Sequence, residues 1–240
     1  MSRIQSEIKH FSERNHVWWG LKTDAGQKRY DKRFQLFCQL CKPERGSTIL
    51  EIGCGDGEFT KRLAKLPSSI TAIDITSKLL QRAKNSLWFN KTKNIKLGVE
   101  DAEKLSFKNS SFDIVCGIAI LHHLDIERAL KEGFRLLKTG GQIFFSEPNL
   151  LNPFVFTELN INWLKKRLDV SPDETAFVRW NIEKLIRRVG FTSVVVKNYD
   201  FLFPAIPPFL IKTVGNFSDA LEQVPLLKEF SGSLIIWGKK

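Results

Sequence analysis

The sequence predicts an α/β fold, a largely parallel sheet with helices on its faces, and three observations lead there. From residue 48 onward, short β-branched or apolar runs alternate with longer helical patterns, as in βαβ units. The run at 48–52 breaks into a glycine-rich turn, Gly53-Cys54-Gly55-Asp56-Gly57, and then into a helical pattern. At 240 residues, 42% hydrophobic and 26% charged, the chain is long and apolar enough for one such domain with additions.

The elements follow in order. Residues 1–45 read as an N-terminal helical cap over the open edge of the sheet, and 46–240 as the main domain. Within the cap, Cys38 and Cys41 form a CxxC. No second CxxC or CxxH pair accompanies it and 34–41 reads as helix, so these are two thiols on one helix and no metal is expected. Strands at 48–52, 70–75, 95–99, 112–118 and 141–147 alternate with helices at 58–65, 77–90 and 125–137. Lys138-Thr139-Gly140-Gly141 ends the last of these helices, glycine supplying the positive φ that a helix C-terminus often needs. A helix at 182–189, a sixth strand at 193–196 extended toward 203, and a seventh at 233–238 complete the set. Two long stretches stand out, 148–179 and 204–231, the second with a helix near 217–224. Connections that long in a compact domain usually serve a site, so both are expected to form a lid-like wall facing a substrate.

The acids around the turn indicate what is bound. The spacing is GxGxG, not the GxGxxG that seats a diphosphate on a helix N-terminus. A backbone wall with a carboxylate beside it, Glu51, suits a methionine tail. Asp74 ends the second strand about 20 residues beyond the turn, where an acid can accept both hydroxyls of a ribose. Asp101, after the third strand, can meet an adenine amino group. Nicotinamide enzymes share the ribose acid; the third acid separates the two readings.

Five motifs in order resemble class I S-adenosylmethionine-dependent methyltransferases, close to the family of ubiquinone and menaquinone biosynthesis C-methyltransferases. LEIGCGDG (50–57) resembles the first motif, AID (72–74) the second and EDAEKLSF (100–107) the third. FDIVCGIAILHHL (112–124) and ALKEGFRLLKTGGQIFFSEPN (129–149) resemble the fourth and fifth. The resemblance covers 48–147. It implies a Rossmann-like seven-stranded sheet in the order 3-2-1-4-5-7-6 with the last strand antiparallel, and S-adenosyl-L-methionine as methyl donor, leaving as S-adenosyl-L-homocysteine. Carried over residue by residue, Glu51, Gly53 and Gly55 line the methionine moiety and Cys54 adds backbone contact. Asp74 binds the ribose hydroxyls and Ile75 packs on the adenine, Asp101 and Ala102 address the adenine edge, and Ile118 offers its carbonyl to the methionine amino group.

Methyl transfer needs a dry pocket, a held nucleophile and often a base. Glu147, ending the fifth strand, and His123, the second of a pair after the fourth, are the candidate catalytic groups. The insertions are apolar and aromatic: Phe154, Phe156 and Trp163 precede Lys165-Lys166-Arg167, and 201–210 reads FLFPAIPPFL, while Trp18 and Trp19 sit in the cap. That pattern suggests a small-molecule or lipid-linked acceptor, anionic in view of the net charge of +11, with peripheral membrane contact. An RNA methyltransferase is the alternative that the charge keeps open, although 118–121 (Ile-Ala-Ile-Leu) lacks the nucleobase-methylating signature and no RNA-binding module is present. A catalytically silent cofactor-binding scaffold is the other. No apolar run approaches the roughly 20 residues of a membrane span and the N-terminus lacks an apolar signal core, so a cytoplasmic protein is expected.

Overall fold

The computed structural model describes residues 3–13, 22–86, 88–168, 170–171 and 174–240. A seven-stranded sheet in the order β3-β2-β1-β4-β5-β7-β6 forms its centre. The strands are β1 (Thr48–Ile52), β2 (Ser69–Asp74), β3 (Ile95–Val99), β4 (Phe112–Ile118), β5 (Leu137–Pro148), β6 (Thr192–Tyr199) and β7 (Ser233–Lys239). The first five pair in parallel, and β7 runs antiparallel between β5 and β6, which is the topology the motifs implied.

Alternation along the strands makes two cores, because successive side chains point to opposite faces. Leu50, Ile52, Val115 and Phe145 face α5 (Ile126–Leu136) and α8 (Arg179–Val189). On the other face, Ile49, Ile70, Ile114 and Phe144 meet α2 (Asp24–Cys41) and α3 (Thr60–Leu63). Phe37 of α2 stands edge-on to Phe144 with ring centroids 5.3 Å apart and is fully buried. Its truncation to Ala would cost roughly 3–5 kcal/mol in transfer and cavity terms. The second strand leads into α4 (Ser77–Lys84), shorter than the expected 77–90.

The cap expectation needs correcting. Helix α2 covers a face of the sheet, not its open edge, because Phe37, Tyr30 and Cys41 form one apolar side. Thr23 caps its start by accepting from Gly26 N, and Lys42 ends it in the left-handed conformation just before Pro43. Cys38 and Cys41 are free thiols on this one helix. Helix α1 (Arg3–Glu13) lies across the carboxyl ends of the strands. Arg3 donates to the His123 carbonyl and pairs with Glu103, and Ser171 donates to the Glu7 carboxylate. Trp18 and Trp19 lie outside the described residues.

Gly140 has the expected positive φ (+77°), but inside a kink of β5 and not at a helix end. Helix α5 passes directly into β5 at Leu137, and the register with β4 slips between Phe112 and Ile114. The sixth strand stops at Tyr199 because Asp200 turns the chain at φ +77°.

The first insertion holds α6 (Pro153–Asn160) and α7 (Asn162–Arg167). Asn152 caps α6 by accepting from Phe154 N and Val155 N, with Pro153 in the first turn. The second holds α9 (Ile211–Leu221), which begins earlier than the expected 217–224. The two meet where the Phe154 and Phe203 rings stand edge to face at 5.0 Å, and where Asn149 Nδ2 donates to the carbonyls of Glu229 and Ser231. Among the described residues, no helix is long and apolar enough to cross a membrane.

Candidate active site

Strand order reverses between β1 and β4, which leaves a crevice at the carboxyl ends of the strands. A cavity of about 680 Å³ opens there, running from the end of β2 to the two insertions, with α1 along one side. The turn after β1 forms its floor. Cys54 N donates to the Ile73 carbonyl at 2.9 Å and Gly55 N to Asp74 Oδ2 at 2.9 Å, while Asp74 Oδ1 accepts from Thr76 N at 2.7 Å. These bonds tie the glycine turn to the acid that ends β2.

Two glycines of the turn differ in what surrounds them. At Gly53 (φ +65°) a Cβ would collide with the Ile120 side chain. At Gly55 (φ +56°) a Cβ would stand in open space, so this backbone is bare on its cavity side. Asp101 closes its own turn by accepting from Glu103 N at 2.9 Å. Gly53, Cys54, Gly55, Asp74, Ile75, Asp101, Ala102 and Ile118 all line the cavity, as do Glu147 and His123.

Glu51 does not reach the cavity wall. Strand alternation sends it to the α2 face, opposite Cys116 in register, where it is 2% exposed. Its Oε2 has no hydrogen-bond partner among the described residues, and burial, with the charge of Asp74 adding to it, pushes its carboxyl up to about 8.

The histidine pair divides differently from expectation. Both oxygens of Glu147 are committed: Oε1 accepts from Ile120 N (3.1 Å) and Leu121 N (3.0 Å), and Oε2 faces His122 Nδ1 at 2.7 Å. Burial alone would lower the His122 pKa. The Glu147 hydrogen bond and the charges of Glu147, Glu174 and Glu7 outweigh it and raise the pKa. His123 goes the other way, lowered by burial and by His122, with its Nδ1 3.3 Å from Glu7 Oε2 but off the line of a hydrogen bond. So Glu147 holds the 120–122 turn in place, and the histidine it orients is His122.

Comparison with known proteins bears on this arrangement. A family model described as a methyltransferase domain matches residues 50–145, the stretch from β1 to β5 that carries the turn and its acids. Residues 50–145 thus match a methyltransferase domain, on a sheet with the class I methyltransferase strand order. The chain is 30% identical over 148 residues to a ubiquinone biosynthesis O-methyltransferase of Albidiferax ferrireducens, covering 60% of this chain and 58% of that protein. It is 35% identical over 114 residues to a ubiquinone/menaquinone biosynthesis C-methyltransferase of Zymomonas mobilis, covering 46% of each. The chain thus spans between about half and three fifths of the length of the curated relatives it matches. Among solved structures, a SAM-dependent methyltransferase from Thermotoga maritima superposes with a TM-score of 0.63 at 22% identity, over 88% of this chain and 89% of that one. Phosphoethanolamine N-methyltransferase 2 of Haemonchus contortus, in complex with phosphomonomethylethanolamine and S-adenosylhomocysteine, gives 0.63 at 16%, over 91% and 57%. The [4+2]-cyclase SpnF shares the fold equally well, at 0.64 and 16% over 88% and 80%, so the methyltransferase fold alone does not decide the reaction.

Sequence reasoning missed three residues of this site, Glu7, Glu158 and Glu174, and of the histidine pair it favoured His123 over His122. A signal existed for Glu158. It is the lone charge in the apolar stretch 153–160, one helical step from Val155, and those two are the buried residues of α6.

Proposed function

We propose that this chain transfers a methyl group from S-adenosylmethionine to a small apolar acceptor. The observation that carries this reading is the Gly55 turn: a backbone bare toward the cavity, fastened by its own N–H to the acid of β2. Such a wall suits a slender methionine chain. Asp74, which ends β2 and lines the cavity, would take the ribose hydroxyls. Asp101 and Ala102 would meet the adenine edge and Ile75 its face. Gly53, Cys54 and Gly55 would line the methionine, with the Ile118 carbonyl toward its amino group. When bound, the donor supplies a methyl on a positively charged sulfur, which leaves with the bonding electron pair.

The acceptor side supports a small apolar molecule. Phe154, Val155, Leu168 and Phe203 line it, and the curated relatives named above are methyltransferases of ubiquinone and menaquinone biosynthesis. Phe156, Trp163 and Phe209 are exposed on the two insertions, the first carrying Phe154 and the second following Phe203, and Lys165, Lys166 and Arg167 follow Trp163. This supports approach from a lipid surface. Glu147, with both oxygens committed, acts here by positioning the 120–122 turn and not as the base.

The test is calorimetric titration with S-adenosylmethionine, S-adenosylhomocysteine and, as control, NADH. Micromolar binding of the first two without the third is expected. Binding without transfer to any acceptor would favour the silent scaffold, and tight, salt-sensitive RNA binding the RNA methyltransferase.

A further inference from the structure

The chain is basic, yet its cavity is not. Among the described residues that line it there is no lysine, and the three arginines are held by the protein itself. Arg3 is bound to the His123 carbonyl and Glu103, Arg29 to Asp200, and Arg33 Nε donates to Tyr199 Oη at 2.9 Å. The acceptor end instead gathers carboxylates: Glu7, Glu147, Glu158 and Glu174 surround His122 and His123.

These acids are not alike. Glu147 is fully engaged, Glu7 accepts from Ser171, and Glu174 Oε2 accepts from Ser171 N at 3.1 Å while its Oε1 lies 3.7 Å from His122 Nε2. Glu158 is 6% exposed, lines the cavity beside Phe154 and Val155, and has no hydrogen bond or ion pair among the described residues. Burial, then the nearby charge of Glu174, pushes its carboxyl to about 7. Burying an acid without a partner is costly, and the cost is recovered when a cation arrives.

We propose that the acceptor carries a basic amine, received as its ammonium form by Glu158 and Glu174 while its apolar body lies against Phe154, Val155 and Phe203. This rests on the methyl-transfer reading and narrows its substrate class. A proton passing from the ammonium to the Glu158 carboxylate leaves a neutral acid and a nitrogen whose lone pair is free. Glu174, with one oxygen toward His122 and the other on Ser171, keeps the second negative charge in place.

The experiment uses three matched probes of one size: 2-phenylethylamine, the neutral 2-phenylethanol and the anionic 3-phenylpropanoate. Each is titrated calorimetrically at neutral pH into the full chain, with and without saturating S-adenosylhomocysteine. The amine should bind about 10-fold or more tightly than the alcohol, as expected of a charge-assisted contact in a dry site, with the carboxylate weakest. Glu158→Gln and Glu174→Gln should each erode that preference while homocysteine-cofactor affinity stays unchanged. Equal or tighter binding of the alcohol or carboxylate, no binding of the amine, or a preference that survives both substitutions overturns the proposal. Failure of S-adenosylhomocysteine to bind would sink the methyl-transfer reading separately, and the titrations without it would still decide the amine.

Discussion

Glu147 and His122 form a buried pair, Oε2 to Nδ1 at 2.7 Å, that joins the end of β5 to the turn after β4. The same carboxylate takes two backbone N–H groups of that turn, so one side chain fixes the position of three consecutive residues on the cavity wall.

Glu147→Gln should therefore act on stability first. An amide oxygen can keep part of the bonding, but its NH₂ group then faces a donor, and a loss of about 2–4 kcal/mol is expected. Urea denaturation reads this directly, and wild-type stability in the variant would remove the anchoring role.

The two histidines should give opposite pH slopes. His122 has a folded pKa above its ordinary 6.5, so its contribution is complete below that value and is lost as pH rises through the raised pKa. His123 has a folded pKa below 6.5, so stability is lost as pH falls past 6.5 toward the lowered pKa. Denaturation midpoints measured from about pH 5 to 8 should show that His122→Asn removes a fall toward alkaline pH and His123→Asn a fall toward acid. Identical profiles in both variants would contradict the assignment.

Gly53→Ala and Gly55→Ala should separate. Both sit at positive φ, which costs an alanine about 1–2 kcal/mol. Only at Gly53 does the new methyl meet protein, the Ile120 side chain, so that variant should be the less stable. At Gly55 the methyl enters the cavity, and loss of S-adenosylhomocysteine affinity should exceed loss of stability. Thermal melts with and without the ligand distinguish the two.

Asp74→Ala removes the acceptor of Gly55 N and Thr76 N together with the acid assigned to the ribose. Affinity for S-adenosylhomocysteine should fall about 10-fold or more. A variant that binds as tightly as wild type would remove Asp74 from the donor site.

Glu158→Gln should stabilise the protein in a pH-dependent way. Its carboxyl moves from the ordinary 4.5 to about 7, so the folded state bears a growing cost as pH rises from 4.5 to about 7. Near pH 8 the variant should be more stable than wild type by about 2 kcal/mol, discounted for the part of the carboxyl open to the cavity, and near pH 4 the two should coincide. An equal difference at both pH values would mean that the gain comes from something other than the charge.

Much of this was legible in the chain because parallel strands buried on both faces read as unbroken apolar runs, and because Asp74 and Asp101 follow their strands at fixed intervals. What escaped was side-chain direction and long-range contact. The strand placed Glu51 in the motif, but alternation turned it away from the cavity. The site groups on α1 meet partners 100 or more residues away, Arg3 with Glu103 and Glu7 with Ser171, and no local pattern encodes that. His123 stood out beside the fourth motif, yet the buried anchor Glu147 lies nearer its neighbour, a choice that only the turn geometry makes.

The family match ends at residue 145, just before Glu147, and apart from the 120–124 turn the acceptor side draws on what lies outside it: α1, the two insertions and the segment after β6. On the methyl-transfer reading proposed above, donor and acceptor are thus written largely in separate stretches of the chain. Grafting 148–179 and 204–231 from a relative should exchange the molecule that is modified while leaving the donor grip as it was.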